Sequence, residues 1–336
     1  MSARDREALG NSDIGFGLES AAFSTRRIDT EVLAILAELE KRTQAAAPAH
    51  TLSAREHREL QESGRGFGGP IRTVEAARPR SIRIDGRELS FRSFVPEHVQ
   101  GVLLTIHGGG FVMGAAHHSD IRNWQIARHC SLAVVTPDYR LAPENPHPAA
   151  LDDCEALALW LLEHASADFG SDRLLIGGES AGANLAVGVQ MRLRDRHGYR
   201  FAGASHLFGW FDVGLSPSAR AWGDRELILS TPFLEEMARC YVDRARHREP
   251  EISPLYANLE GLGSAQFTVG TLDPLLDDTL FMYARWLAAG NPARIAVFPG
   301  AVHAFTGIPS AIARSANQMI ELALLDQLEG RLDGWR

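Results

Sequence analysis

The serine at position 180 lies between two glycines, where an apolar segment gives way to a helical pattern. GESAG (178–182) follows the apolar residues 173–178 and precedes an amphipathic stretch over 181–196. In that context Gly-x-Ser-x-Gly is typical of a sharp strand-to-helix turn that presents the serine hydroxyl above a sheet. The helix N-terminus adds positive electrostatic potential beside the hydroxyl. The pattern predicts that Ser180 is a nucleophile.

A run of glycines follows a second apolar segment. Residues 102–106, VLLTI, lead directly into His107 and Gly108 and then into two further glycines. Glycines leave backbone N–H groups approachable, and an N–H donor aimed in advance at a developing oxyanion is typically worth about 3–4 kcal/mol in acyl transfer. We interpret His107 as a residue that holds the shape of this loop through side-chain hydrogen bonds. It precedes the glycines and would have to turn back to act as the base for Ser180.

A general base and an orienting acid are expected where later strands end. Asp273 follows the apolar residues 265–270, and His303 follows the apolar residues 294–299. The order Ser180, Asp273, His303 is the order of the catalytic triad in α/β-hydrolases. The histidine can take the serine proton and return it to the leaving alkoxide, because a serine hydroxyl is a weak nucleophile at neutral pH. The aspartate would fix the imidazole tautomer and stabilise the imidazolium as it forms.

Other titratable residues compete for these roles. Asp277 and Asp278 come about one helical turn after the predicted acid, but the helical pattern places them inside the following helix, which disfavours them. His117 and His118 follow the glycine loop (residues 107–110). A metal site formed by these two residues and His107 is a competing interpretation. No carboxylate at ligand spacing accompanies them in the chain, so the sequence predicts no metal site.

Short apolar runs alternate with longer amphipathic stretches from about residue 81 onward. A hairpin is expected across Asp85-Gly86, a strong turn dipeptide, between the alternating segments 81–84 and 89–95. Strand–helix alternation on this scale predicts a mostly parallel α/β sheet with helices on both faces. The later strands are expected at 102–106, 132–137, 173–178, 204–210, 265–270 and 294–299, and the helices at 119–130, 150–165, 181–196, 232–243, 276–289 and 310–329.

The first 75 residues differ in pattern from the rest. Residues 29–41 carry an apolar face at helical spacing, and a second short helix is expected at 53–62, before the glycine-rich segment GRGFGGP. This part has too little apolar surface to fold alone. We therefore expect residues 1–75 to pack as a helical cap on a catalytic domain formed by residues 76–336, with a partly disordered tail as the alternative.

Composition and charge exclude several classes of function. The formal net charge of the 336 residues is −8, and no basic stripe with interleaved aromatic residues is present, so a nucleic-acid partner is not expected. The three cysteines form no CxxC pair, which disfavours a disulfide framework or a zinc motif. No apolar run approaches the roughly 18 residues of a membrane span, and the N-terminus lacks a secretory apolar region. We therefore expect a cytoplasmic protein without a membrane span.

Six motifs occur in order along the chain: HGGGF (107–111), YRLAPE (139–144), GESAG (178–182), SPL (253–255), DPL (273–275) and HAF (303–305). Together they closely resemble the hormone-sensitive-lipase-like family of serine esterases. The resemblance implies an α/β-hydrolase fold with a mostly parallel eight-stranded sheet flanked by helices and an N-terminal helical cap over the active site. It also implies an oxyanion hole formed by the N–H groups of Gly109, Gly110 and Ala181, and no cofactor. Family members mostly hydrolyse short- to medium-chain acyl esters and aryl esters, and many are dimers, so a homodimer is expected.

Three departures from the family pattern concern the site, and the first is Ala304, which follows His303 where the family commonly has glycine. Glu179 precedes the serine where Asp, Thr or Gln is usual, and either a hydrogen-bonding or a solvated role is open to it. Residues 209–212, GWFD, stand where many members have Tyr-Pro before an aspartate. We expect Phe111, Trp210 and Phe211 to line a substrate pocket that is reshaped for a substrate with an aromatic or cyclic portion.

The residues predict a carboxylic ester hydrolase that works through an acyl-enzyme intermediate on Ser180. Hydrolysis of another acyl bond, in an amide, carbamate or lactone, would use the same triad, so the sequence discriminates poorly between these substrates. A small-molecule receptor on the same scaffold, as known for a plant hormone receptor that resembles the family, is disfavoured because all three triad residues are present. The expected partner is a small-molecule ester.

Overall fold

The computed structural model describes residues 18, 20–24, 28–66, 69–84 and 86–334. Within these ranges it contains one eight-stranded sheet. Asp85, in the predicted turn dipeptide, lies outside the described residues. The strands are β1 (Arg78–Ile84), β2 (Arg87–Phe94), β3 (Gly101–Ile106), β4 (Leu132–Pro137), β5 (Leu174–Glu179), β6 (Gly203–Leu207), β7 (Ala265–Leu272) and β8 (Ala293–Val302).

The sheet is mostly parallel, as the strand–helix alternation predicts. Its order is β1-β2-β4-β3-β5-β6-β7-β8, in which β2 is antiparallel to β1 and β4 and all other neighbours are parallel. All six residues of β4 are buried, because helices cover the sheet on both faces. The carboxyl ends of the parallel strands meet at one edge, so the loops after β3, β5, β7 and β8 converge there.

The helices predicted after residue 100 are confirmed, with bounds that differ by four residues at most. A short helix at 217–221 is an addition. None of the helices in the described ranges is long and apolar enough to cross a membrane. The α-helices of these ranges are α1 (Thr30–Gln44), α2 (Ala54–Glu62), α3 (Asp120–Cys130), α4 (Ala149–Phe169), α5 (Ala181–His197), α6 (Pro217–Ala221), α7 (Thr231–Tyr241), α8 (Leu276–Ala288) and α9 (Ala311–Leu328).

Two strands end three residues away from the predicted position: β8 continues to Val302, beyond the predicted residue 299, and β6 ends early. β6 ends at Leu207, whereas the apolar run predicts a strand that continues to Trp210. The backbone of Phe208 has a φ of 38°, which is not an extended conformation. The chain therefore leaves the sheet at this residue, and the apolar side chains that follow are buried outside the strand.

The first N-terminal helix, α1, packs against the last strand of the sheet. It begins after Asp29, whose side chain accepts a hydrogen bond from the amide of Glu31, and its buried face consists of Val32, Leu36 and Leu39. The side chain of Val32 lies beside Gly300 in β8. The sheet therefore covers part of the apolar face that the sequence predicts for this helix.

The second N-terminal helix, α2, packs on the segment that follows the glycine loop. Ser53 and Glu56 form a capping box at its start, with each side chain bonded to the other residue's backbone N–H. Further along the helix, Nε of Arg58 donates to the carbonyl oxygen of Val112 over 2.8 Å. Both predicted helices are thus present and docked, while the division of the chain near residue 75 stays a prediction.

Candidate active site

Ser180 occupies the junction of β5 and α5, with φ 56° and ψ −122°. A non-glycine residue at positive φ is uncommon and costs roughly 1–3 kcal/mol, so the surrounding packing must hold it there. A Cβ atom on Gly182 would lie 2.1 Å from the carbonyl oxygen of Ile106. The glycine therefore allows α5 to approach β3 closely enough to keep the turn sharp.

The segment after β6 helps to hold the backbone of Ser180. The amide of Ser180 donates to the carbonyl oxygen of Leu207 over 2.9 Å, and the amide of Trp210 donates to the carbonyl oxygen of Ser180 over 3.2 Å. Nδ2 of Asn184, in the first turns of α5, donates to the carbonyl oxygen of Trp210 over 2.8 Å. Because β6 ends early, the amide and the carbonyl oxygen of Trp210 also lie beside the serine turn and form hydrogen bonds there.

His303 and Asp273, predicted as base and acid, are in contact. Nδ1 of His303 donates to Oδ2 of Asp273 over 2.9 Å, and the other carboxylate oxygen accepts from the amide of Leu275 over 2.9 Å. Both side chains are buried, and the ring of Phe208 lies edge-on to the imidazole with 5.0 Å between centroids. Because the carboxylate accepts at Nδ1, the neutral imidazole carries its proton there and leaves Nε2 free to accept another.

The competing carboxylates have other partners. Oδ1 of Asp278 accepts from the amides of Phe211 and Asp212, each over 2.7 Å, and Asp278 is completely buried. Burial raises the pKa of Asp278 to about 8. Oδ2 of Asp277 accepts from the amide of Ser218 over 2.8 Å. Both residues therefore hold the loop after β6, a function that the helical pattern of the sequence did not reveal.

The glycine loop lies against the serine turn. A Cβ atom on Gly108 would lie 2.9 Å from the carbonyl oxygen of Glu179 and 3.3 Å from Cβ of Ser180. Gly109 and Gly110 have φ values of 117° and 60°. Among the described residues, neither of their amides donates to a protein acceptor. The two N–H groups are therefore available to a ligand, as an oxyanion hole requires.

Ala181 is the first residue of α5 and directly follows the serine. The first amides of an α-helix have no intrahelical acceptor, so this N–H is also available. It lies at the positive end of the helix dipole. The structure thus places all three amides that the family resemblance implies for the oxyanion hole in the two segments that meet at Ser180.

His107 supports the glycine loop. Its ring stacks on Tyr139 with 4.1 Å between centroids, and its Nδ1 lies 2.8 Å from the carbonyl oxygen of Gly108. The hydroxyl of Tyr139 donates to the carbonyl oxygen of His107 over 3.0 Å. Burial lowers the pKa of His107 to about 4, so the ring is neutral at physiological pH. Tyr139, which sequence reasoning left out of the site, is therefore a support for the loop.

Phe111, Trp210 and Phe211 are completely buried. The ring of Phe111 lies 5.6 Å from that of Trp210 and stacks on Tyr241 at 3.8 Å. The ring of Phe211 lies 6.3 Å from Phe267, a residue of β7. Phe111 and Trp210 thus form one aromatic group next to the serine turn, whereas Phe211 contacts the sheet. The pocket role of all three stays a prediction.

Glu179, beside the nucleophile, has hydrogen-bonding partners. Oε1 accepts from the hydroxyl of Ser119 over 3.4 Å, and Oε2 accepts from Nη1 of Arg122 over 3.3 Å. Of the two roles that the sequence left open, the hydrogen-bonding one is observed. The carboxylate connects the serine turn to the first turns of α3 and the residue before it.

A carboxylate does accompany His117 and His118, contrary to the sequence interpretation. Glu62, at the end of α2, lies 2.8 Å from Nε2 of His118 and 3.3 Å from Nε2 of His117. Fifty-five residues separate Glu62 from His117, so no local spacing rule could reveal the group. The third histidine of the sequence hypothesis, His107, is instead stacked on Tyr139.

Residues 103–307 match the family described as alpha/beta hydrolase fold. The carboxylic ester hydrolase LipN of Mycobacterium tuberculosis is 33% identical over 224 residues, which are 62% of this chain and 57% of LipN. Ethyl acetate hydrolase of Pseudomonas putida is 29% identical over 291 residues, 81% of this chain and 89% of that protein. The crystal structure of a hormone-sensitive lipase from a metagenome library aligns with a TM-score of 0.79 and 28% identity, over 90% of this chain and 99% of that one.

Proposed function

The chain belongs to the alpha/beta-hydrolase family and, within it, to the hormone-sensitive-lipase-like esterases, and from this premise we propose that it hydrolyses carboxylic esters through Ser180. The observation that carries the proposal is the 2.9 Å hydrogen bond between His303 and Asp273. These two residues follow the last two strands, at the sheet edge where the strained serine turn also lies.

In the first half of the reaction, Oγ of Ser180 attacks the ester carbonyl carbon while Nε2 of His303 takes the hydroxyl proton. The negative charge that develops on the carbonyl oxygen is stabilised by the amides of Gly109, Gly110 and Ala181. Asp273 stabilises the imidazolium through the hydrogen bond to Nδ1. The carbon–oxygen bond to the alcohol then breaks, and His303 returns the proton to the leaving alkoxide.

In the second half, a water molecule replaces the alcohol. His303 takes a proton from the water as it attacks the acyl carbon, and the same amides hold the second oxyanion. Ser180 leaves with the proton from His303, and the carboxylic acid is released. Every proton is moved by one imidazole, so the proposed reaction requires no cofactor.

Short- to medium-chain acyl esters and aryl esters are the proposed substrates. The matched ethyl acetate hydrolase is named for an ester with a two-carbon acyl group, which supports the short end of that range. The buried aromatic group of Phe111 and Trp210 beside the serine turn supports an apolar pocket wall. The expected homodimer and cytoplasmic location rest on the family resemblance and on the composition.

The proposal is tested with p-nitrophenyl esters of graded acyl length and with the Ser180→Ala variant. We expect kcat/KM of the variant to fall by several orders of magnitude, because loss of a serine nucleophile costs roughly 10⁶-fold in a comparable triad. Ser166→Ala, which alters an exposed serine in α4, is the matched control and should leave the rate unchanged. Ester hydrolysis that persists in Ser180→Ala would contradict the mechanism.

The alternative acyl substrates are tested by measuring kcat/KM of the wild type and of Ser180→Ala with amides, carbamates and lactones. We expect a larger kcat/KM for esters than for amides or carbamates, because nitrogen donates electron density into the carbonyl and makes its carbon a weaker electrophile. Lactones share the alkoxide leaving group, so the measured kcat/KM decides between them and open-chain esters. A larger value for one of the other classes would replace ester hydrolysis as the main activity but would leave the role of Ser180 intact. Binding of every ester without turnover would indicate a receptor.

A further inference from the structure

Glu62, His117 and His118 form a group of metal-ligating side chains apart from the catalytic triad. One ligand atom from each residue, two imidazole nitrogens and one carboxylate oxygen, lies within 4.8 Å of the other two. Nε2 of His118 is 2.8 Å from one carboxylate oxygen, and Nε2 of His117 is 3.3 Å from the other. The three side chains therefore converge on one small volume.

The chemistry of this group suits a transition-metal ion. Two imidazoles and one carboxylate are a common ligand set for zinc, with Zn–N and Zn–O distances of about 2.0–2.2 Å. Two ligand atoms on a tetrahedral zinc ion then lie roughly 3.4 Å apart, which is close to the 3.3 Å between His117 and Glu62 and longer than the 2.8 Å between His118 and Glu62. Mg²⁺ and Ca²⁺ prefer oxygen ligands, so two of the three donors are unsuited to them.

Solvent can reach the group. The side chains of Glu62, His117 and His118 are 55%, 30% and 19% exposed. An ion could enter from water and keep one or more water molecules in its remaining positions. The group is thus accessible, in contrast to the buried Nε2 of His107, which faces no hydrogen-bond partner among the described residues.

The three residues come from two separate parts of the fold. Glu62 is the last residue of α2. His117 and His118 belong to the 3-10 helix Ala116–Ser119, which follows the glycine loop and precedes α3. An ion bound to all three would cross-link the N-terminal helix to the segment that follows the glycine loop.

Other contacts of α2 reach the same segment. Arg58 donates to the carbonyl oxygen of Val112 over 2.8 Å, and Oε1 of Gln61 accepts from the amide of Gly114 over 3.2 Å. These hydrogen bonds hold the histidines and the carboxylate at a fixed separation before any ion arrives. A preorganised set of ligands loses less conformational freedom on binding.

We propose that Glu62, His117 and His118 bind one divalent transition-metal ion, preferentially Zn²⁺, which fastens α2 to the segment after the glycine loop. The ion takes no part in ester hydrolysis, because Ser180, His303 and the oxyanion amides lie outside its ligand set. The proposal is therefore independent of the proposed function, and either can fail without the other.

Binding is measured by titrating ZnCl₂ into the full-length, chelator-treated protein in a calorimeter. We expect one ion per chain and an affinity that falls by at least about tenfold in each of Glu62→Gln, His117→Gln and His118→Gln, since even indirect supports of a metal site change affinity by 10–100-fold. His129→Gln is the matched control. Among the described residues, His129 faces Glu321 over 3.0 Å and belongs to no group of three metal-ligating side chains, so this variant should bind Zn²⁺ like the wild type.

A second measurement guards against a variant that misfolds. Near-UV circular dichroism in chelator establishes that each variant is folded, and Zn²⁺ should then raise the thermal midpoint of the wild type and of His129→Gln by a few degrees, but not that of the three ligand variants. Absence of Zn²⁺ binding by the wild type, or equal binding by the folded ligand variants, would overturn the proposal. An affinity loss in His129→Gln equal to that of the ligand variants would overturn it as well.

Discussion

Asp273 and Asp278 lie five residues apart in the chain and have different functions. Asp273 accepts a hydrogen bond from the imidazole of His303, whereas Asp278 accepts from two backbone amides in the loop after β6. That loop provides Trp210, whose amide donates to the carbonyl oxygen of Ser180. At the residue scale, one carboxylate therefore orients the predicted base and the other supports the backbone beside the nucleophile.

The raised pKa of Asp278 predicts a pH-dependent stability. Burial raises its pKa in the native state to about 8 from an ordinary value of 3.8. Between those two pH values the native state keeps a proton that the unfolded chain has released, so the free energy of unfolding falls as the pH rises from about 4 to about 8. Urea unfolding across that range should show a steeper fall in the wild type than in Asp278→Asn, which cannot ionise but keeps an oxygen for the two amides. Parallel curves for the two proteins would refute the assignment.

At the scale of elements, the sheet edge and one helix bring the site together. β7 and β8 are neighbours in the sheet, so the residues that follow them meet although 30 positions separate them in the chain. α5 begins directly after the serine and packs on β3 through Gly182. The glycine loop follows β3, so this one helix–strand contact sets the distance between the proposed nucleophile and the proposed oxyanion donors.

The close approach of α5 to β3 makes Gly182 sensitive to substitution. In Gly182→Ala the added Cβ would lie 2.1 Å from the carbonyl oxygen of Ile106, a backbone atom that cannot rotate away. We expect a loss of about 2 kcal/mol or more in the free energy of unfolding, together with a lower kcat.

Gly188→Ala, in the same helix, is the matched control for this prediction. Its added Cβ would meet a side-chain carbon of Leu151 at 2.8 Å, and that side chain can move. The loss of stability should therefore be smaller than in Gly182→Ala, and kcat should be unchanged. If the two substitutions lowered the free energy of unfolding and kcat equally, the helix–strand distance would not be what positions the serine.

At the scale of the whole molecule, the N-terminal helices contact the structure on both sides of the site. α1 lies against β8, the strand that precedes His303, and α2 lies against the segment that follows the glycine loop. Arg58 provides much of the second contact. Its guanidinium donates to the carbonyl oxygens of Val112 and Ala142 and forms a bidentate ion pair with Glu144.

Removal of the Arg58 guanidinium should therefore loosen α2. In Arg58→Met we expect the free energy of unfolding to fall by roughly 1–2 kcal/mol, because two backbone carbonyls lose a charged donor. Arg55→Met is the control: Arg55 lies on the same helix, is highly exposed and forms an ion pair with Glu59 on that helix. The free energy of unfolding of both variants is measured in urea. An equal loss in the two would mean that the hydrogen bonds of Arg58 do not hold α2 in place.

The sequence by itself determined the strand–helix alternation, the serine turn, the glycine loop and the order of the predicted triad residues. Each of these depends on residue types at short spacing, because a turn, a strand or a helix is decided largely by its own residues. Helix bounds were predicted closely for the same reason. The end of β6 was not, since the apolar residues after Leu207 are buried although they lie outside the strand, so an apolar run alone does not mark where the strand ends.

Only the tertiary structure decided which distant side chains meet. It brings Glu62 to His117 and His118, directs Asp278 to the amides after β6, and stacks His107 on Tyr139. These contacts join elements whose relative positions follow from packing of the whole core, and no spacing along the chain encodes them. The chemistry of the predicted triad was therefore readable in the sequence, whereas the supports around it and the proposed metal site were not.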